Sequence, residues 1–201
     1  MKNYFPLVFL LLVLACSGQK KLSIGEKIPF SKIAVYNSED KKTHIDLPNG
    51  KTLTDRFVLV LFFSPQQPLK QLVEINQKLE QTLNRFQNNA CKGASEIEYL
   101  TICAEENPEV WKKYLQDGNF NNSKFKGKKT NYLAKNGMKD EAIKAFGADK
   151  FPSFFVVNPK GRLWLETDSA EELEKAFVNI CRNNPGSSTA DIEGKVLIGE
   201  K

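Results

Sequence analysis

The segment Phe57–Phe63 constrains the fold more than any other. It is an unbroken apolar run, Phe-Val-Leu-Val-Leu-Phe-Phe, set between Arg56 and Ser64. Its shortness and its β-branched and aromatic content predict a strand, and the lack of alternation predicts that both faces of that strand are covered. A strand covered on both faces calls for helices above and below the sheet, which is the layering of an α/β domain. The next segment supplies one of those helices. Leu69, Leu72, Ile75, Leu79, Leu83 and Phe86 recur at spacings of three and four, so an amphipathic helix is expected over 69–88.

The remaining chain fits around this pair. Phe30–Tyr36 and Thr43–Leu47 read as a β-hairpin, followed by a Pro48-Asn49-Gly50 turn. Ile97–Cys103 reads as a strand, and Asn107–Gln116 as a helix with Pro108 in its first turn. Residues 118–137, rich in Asn, Lys and Gly, read mainly as loop. Met138–Phe146 reads as a short helix ended by Gly147. Ser153–Val157 and Arg162–Glu166 are strands joined by an Asn158-Pro159-Lys160-Gly161 turn. Ser169 caps a last helix, to Arg182, with Glu171 and Glu172 in its first turn. Strands alternating with helices and closed by a hairpin predict an α/β fold: a mixed central sheet flanked by helices, with an N-terminal β-hairpin. At 201 residues the chain has room for one such domain.

The N-terminus reads as an address. Lys2 precedes an uncharged, mostly apolar run, Phe5–Ala15, and small residues follow in Ala15-Cys16-Ser17-Gly18. Val13-Leu14-Ala15-Cys16 resembles a bacterial lipobox. That resemblance implies a signal peptide over 1–15 and lipid on Cys16, with the membrane as partner. A polar tether over 16–29, a domain over 30–183 and a tail over 184–201 complete the division. The alternative at this point is an ordinary signal peptide that contains a cysteine. The location implied by the anchor is the bacterial cell envelope, facing the periplasm. A net charge of +5 is too mild for a nucleic-acid footprint, and the basic run Lys124–Lys129 reads as a solvated loop. The single His44 leaves no basis for a His-based metal site or a Ser-His-Asp triad, and neither metal nor cofactor is expected.

Several stretches, in order, resemble the thioredoxin-like superfamily in its extracytoplasmic redoxin branch. Leu22–Pro29 is similar to that branch's Gly-x-x-x-Pro opening. Phe57–Ser64 is similar to its central strand, and Asn107–Leu115 to its crossover helix. Phe146–Leu163 is similar to its cis-proline loop with the following strand, turn and strand. The resemblance implies a thioredoxin-like fold and a Cys-x-x-Cys pair at the junction of central strand and long helix, where the helix N-terminus makes the first thiol a thiolate. The sequence departs from the family here. The junction reads Ser64-Pro65-Gln66-Gln67-Pro68-Leu69-Lys70. Gln67 and Lys70 fall where the two cysteines belong, or Pro65 and Pro68 in a register two residues earlier. Amides, prolines and an ammonium do not perform thiol–disulfide exchange. Leu59 and Leu61 stand where some relatives place a buried acid.

Four cysteines remain to be placed, Cys16 among them. Cys103 reads as a small core side chain or, alternatively, as a reactive thiol, which Glu105 and Glu106 would disfavour. In the fold that the resemblance implies, Cys91 and Cys181 end neighbouring helices, so they are either a structural disulfide or two free thiols. The resemblance also implies a cis peptide at Phe151–Pro152. Backbone beside it would pair with an extended peptide by strand addition, unless Pro152 merely fixes the turn. The functional expectation is a membrane-anchored binding or scaffolding module that has lost the redox pair. The alternatives are a divergent thiol–disulfide oxidoreductase or antioxidant redoxin using Cys103, or a purely structural lipoprotein.

Overall fold

The computed structural model describes residues 21–49, 56–89, 96–118 and 120–183. The chain runs β1 (Lys32–Tyr36), β2 (Lys42–Asp46), β3 (Arg56–Phe63), α1 (Leu69–Asn89), β4 (Glu96–Ala104), α2 (Pro108–Asp117), β5 (Lys128–Ala134), a 3-10 turn (Gly137–Lys139), α3 (Glu141–Phe146), β6 (Ser153–Val157), β7 (Leu163–Thr167) and α4 (Ala170–Asn183). One 7-stranded sheet has the order β2-β1-β5-β4-β3-β6-β7. β3, β4 and β5 are parallel, while β6, β7, β1 and β2 join antiparallel.

β3 sits inside the sheet with both faces covered, as its unbroken apolar sequence demands. Phe57, Leu59, Leu61 and Phe63 enter one core layer, with Leu72, Leu79, Leu83 and Phe86 of α1, Trp111 and Leu115 of α2, and Leu173 and Phe177 of α4. Val58, Val60 and Phe62 enter the other, with Ile33, Val35 and Ile45 of the hairpin and Ile143 and Phe146 of α3. Alternate side chains of one strand thus feed two separate cores, the period-two geometry of a pleated strand.

Three expectations need correction. The stretch 118–137 is not mainly loop, because β5 runs through it, paired with β4 from Glu98↔Lys128 to Ala104↔Ala134. Its sequence begins Lys-Lys-Thr-Asn, and only Leu133 and Ala134 at its end are fully buried apolar residues, so no alternation announces it. The helix read over 138–146 is split. Asp140 adopts an extended conformation and its carboxylate accepts from the Ala142 N–H at 3.0 Å, which starts α3 afresh at Glu141. The end of the tether belongs to the domain. Leu22 and Ile28 are buried in the second core, and the Gly25 and Ile28 N–H groups donate to the Leu163 and Gly161 carbonyls. Lys21 is ion-paired to Glu166 at 2.7 Å. An apolar residue at each end of that segment outweighs its polar middle.

Candidate functional site

The junction after β3 turns back on itself. The Gln67 side-chain oxygen accepts from the Ser64 N–H at 3.2 Å, and the Gln67 N–H donates to the Ser64 carbonyl at 3.0 Å. The Ser64 hydroxyl accepts from the Gln66 N–H at 3.3 Å, forming the local turn that Ser favours before a helix. From α2, the Tyr114 hydroxyl donates to the Gln67 carbonyl at 3.1 Å. Pro68, just before α1, accepts the Leu72 N–H at 3.3 Å. Gln67 is therefore half-buried and occupied with its own loop, while Lys70 on the first turn of α1 is exposed.

The β3–β6 register brings a second loop alongside. Phe62 lies opposite Ser153, which places the Phe151–Pro152 peptide beside the Phe63–Ser64 end of β3. That peptide is cis. Phe151 packs on the second core, and the Ser153 hydroxyl donates to the Lys150 carbonyl. Lys150 is in turn ion-paired to Asp168. The fold thus gathers Gln67, Lys70, Phe151 and Pro152 at one end of the sheet.

Cys103 is next to this site in the ladder, opposite Phe63, but it is closed off. It is fully buried in the core layer that holds Phe63 and Trp111. Burial, reinforced by Glu105, pushes its thiol well above the ordinary range, so at neutral pH it is a thiol and not a thiolate. Tyr114 is raised to about 12, chiefly by burial, and it stays a hydrogen-bond donor. The side chains gathered at the junction are amides, a hydroxyl, an ammonium and two prolines. They can bind polar groups and present backbone, and no sulfur is among them. Among the described residues, no group of His, Cys, Asp and Glu is arranged to hold a metal ion, and no helix is long and apolar enough to cross a membrane.

Cys16 and Cys91 lie outside the described residues, and of Cys181 only the backbone, within α4, is described. Phe86 and Phe177 pack edge to face at 4.9 Å, which brings the later parts of α1 and α4 together. His44 is exposed on β2. Trp111 fills the core, its indole N–H without an acceptor among the described residues.

Sequence reasoning passed over a buried polar cluster between α1, β4 and β5. Lys129 Nζ lies 2.8 Å from Glu80 Oε1, with both side chains 5% exposed. It also donates to Asn76 Oδ1 at 3.0 Å and to the Phe120 carbonyl at 3.2 Å. Glu80 further accepts from Ser123 Oγ and the Lys124 N–H, each at 2.8 Å, and from Asn76 Nδ2 at 3.1 Å. The buried Tyr99 hydroxyl donates to Asn76 at 3.1 Å. Burial acts to raise the Glu80 carboxyl, but Lys129, Lys124 N–H and Ser123 together hold it below its ordinary value. The available signal was Asn76 and Glu80, one turn apart, falling within the apolar stripe of Leu72, Leu79 and Leu83.

No family model and no curated protein matches this chain. Solved structures do. A thiol-disulfide oxidoreductase from Bacteroides fragilis aligns with a TM-score of 0.57 at 14% identity, over 77% of this chain and 99% of that one. The thioredoxin domain of a thiol-disulfide oxidoreductase from Bacteroides vulgatus gives 0.56 at 15%, over 80% and 99%. A thiol:disulfide interchange protein from a Bacteroides species gives 0.55 at 15%, over 80% and 91%. At these identities the likeness concerns the fold.

Proposed function

From a fold that is thioredoxin-like, we propose a binding or scaffolding module of the bacterial cell envelope, lipid-anchored through Cys16, in which recognition stands in place of thiol–disulfide exchange. The observation that carries this reading is the junction. Where the fold's redox members hold a thiolate, Gln67 is tied to Ser64 and Tyr114, and the nearest described sulfur, Cys103, is buried as a neutral thiol. Exchange requires an accessible thiolate in line with a disulfide, and the burial of Cys103 beside a junction without cysteine supports a reading in which that chemistry is absent. What remains is the Phe151–Pro152 loop beside Gln67 and Lys70, whose main chain suits an extended peptide. A structural Cys91–Cys181 disulfide belongs to the same reading; the Phe86–Phe177 contact between α1, which precedes Cys91 in the sequence, and α4, which contains Cys181, supports it.

The test is a dithiol-dependent insulin-reduction assay and a peroxide-consumption assay on the purified full chain, alongside affinity capture from membranes. The expected result is no turnover in either assay, together with a captured partner that is lost on Phe151→Ala. Turnover abolished by Cys103→Ser would overturn the reading. Anchoring is checked by labelled fatty acid, which is incorporated into the wild-type chain and not into Cys16→Ser.

A further inference from the structure

β5 is paired along its whole length on one side and almost not at all on the other. Against β4 it makes a continuous parallel ladder from Lys128 to Ala134, while against β1 it makes the single pair Tyr36↔Leu133. The hairpin is pinned there. Asn37 Oδ1 accepts the Glu39 and Lys41 N–H groups, Asp40 turns with φ 58°, and its carboxylate grips Lys135 Nζ at 2.9 Å. The hairpin therefore covers only the C-terminal end of β5, and the edge over 128–132 has no strand partner among the described residues. Beside that edge lies a cleft of about 260 Å³, lined by Asn37, Ser38, Phe120, Asn121, Thr130 and Asn131 among others.

We infer that this outer edge of β5 docks an extended, acidic polypeptide segment, which adds to the sheet as a further strand. Two observations favour that occupant over a merely protected edge. An edge strand is commonly guarded by an outward lysine. Here Lys129, the second residue of β5, is drawn inward by Glu80, Asn76 and the Phe120 carbonyl, and Thr130–Tyr132 carry no charge. The lysines that do face solvent, Lys124, Lys126 and Lys128, stand in the segment that leads into β5 and at its first residue. Lys124 and Lys126 have no acidic partner among the described residues, and Lys128 meets Glu98 at 2.6 Å while staying 66% exposed. Unpaired main-chain N–H and C=O groups select a polypeptide, since a lipid surface or a nucleic acid leaves them unused, and the lysines select its charge. This edge is distinct from the Phe151–Pro152 loop and does not depend on it.

The experiment uses the isotope-labelled full chain and a fluorescent seven-residue peptide of alternating Glu and Thr. Three comparisons accompany it: the same peptide N-methylated at alternate residues, its Lys-for-Glu counterpart, and anionic vesicles or single-stranded DNA. The acidic peptide is expected to bind, with amide shifts centred on 128–132. N-methylation should weaken binding about tenfold, and so should Lys124→Glu/Lys126→Glu, whose side chains are exposed and whose removal leaves the fold intact. The Lys peptide should not bind. Absence of binding would overturn the inference. So would indifference to N-methylation, shifts centred on Phe151–Pro152, or vesicles or DNA binding as tightly as the peptide with the same lysine dependence.

Discussion

Removing one member of the Glu80–Lys129 pair is the sharpest test of how β5 is held in place. With both side chains 5% exposed and 2.8 Å apart, neither charge has water to fall back on. Lys129→Met leaves the Glu80 carboxylate with its Ser123, Lys124 and Asn76 donors but without a counter-charge. Glu80→Gln leaves an ammonium with the Asn76 and Phe120 oxygens. Breaking a buried pair costs about 3–5 kcal/mol when the survivor is stranded, and the retained hydrogen bonds place each single variant near about 3 kcal/mol. Removing both charges strands neither, so the double variant should fall short of the summed singles by about 2 kcal/mol. Urea unfolding at neutral pH, with all four proteins in one cycle, measures this directly. Hydrogen exchange should show the loss concentrated in 120–132, the stretch that the cluster ties to α1. The pH dependence has a definite sign. Glu80's folded value lies below its ordinary 4.5, so the stability it contributes is fully present above 4.5 and is lost as pH falls through the folded value. Glu80→Gln should lack that acid-side loss. Additive single effects, or an unchanged acid limb in Glu80→Gln, would refute the reasoning.

Three further outcomes follow from local geometry. Gly161 has φ +73°, and a Cβ there would meet the Pro48 carbonyl oxygen at 2.6 Å, so Gly161→Ala should cost about 2 kcal/mol in chemical denaturation. Asp140→Ala removes the cap on α3 and the acceptor for the Asn136 N–H at 3.1 Å; a loss of about 1–2 kcal/mol by thermal melting is expected. Native alkylation followed by non-reducing peptide mapping should leave Cys103 unmodified until the chain is unfolded, because the thiol is buried and protonated; the same map tests the proposed disulfide, for which Cys91 and Cys181 are expected as one linked peptide. Rapid native labelling of Cys103, or alkylation of the other two, contradicts the respective claim.

The two kinds of core element differ in how openly they are written. β3 and α1 carry their environment in their own composition: a run with no polar face must be covered twice, and a stripe at three-four spacing must face something apolar. β5 carries almost nothing. Its first residues are Lys, Lys, Thr and Asn, and it is a strand because β4 offers a parallel ladder and because Glu80, far away in sequence, takes up the Lys129 charge. The helix read through Met138 failed for a related reason: Asp140 is a tolerable residue inside a helix, and only the Ala142 N–H that it caps shows that a new one begins there. Leu22 and Ile28 were too few to mark a packed segment without the Leu163 and Gly161 carbonyls that receive its N–H groups.

The same division runs through the candidate site. That no sulfur stands at positions 67 and 70 is a property of the sequence alone, since covalent composition does not depend on folding. So is the layering of helices over a buried strand, because apolar periodicity acts locally. Whether Cys103 reacts, where the cations of residues 124–129 point, and which sheet edge stays unpaired were decided by tertiary structure. Each depends on desolvation and on partners distant in sequence: Phe63 and Glu105 around the thiol, Glu80 around Lys129, and a hairpin whose turn at Asp40 stops it one pair into β5.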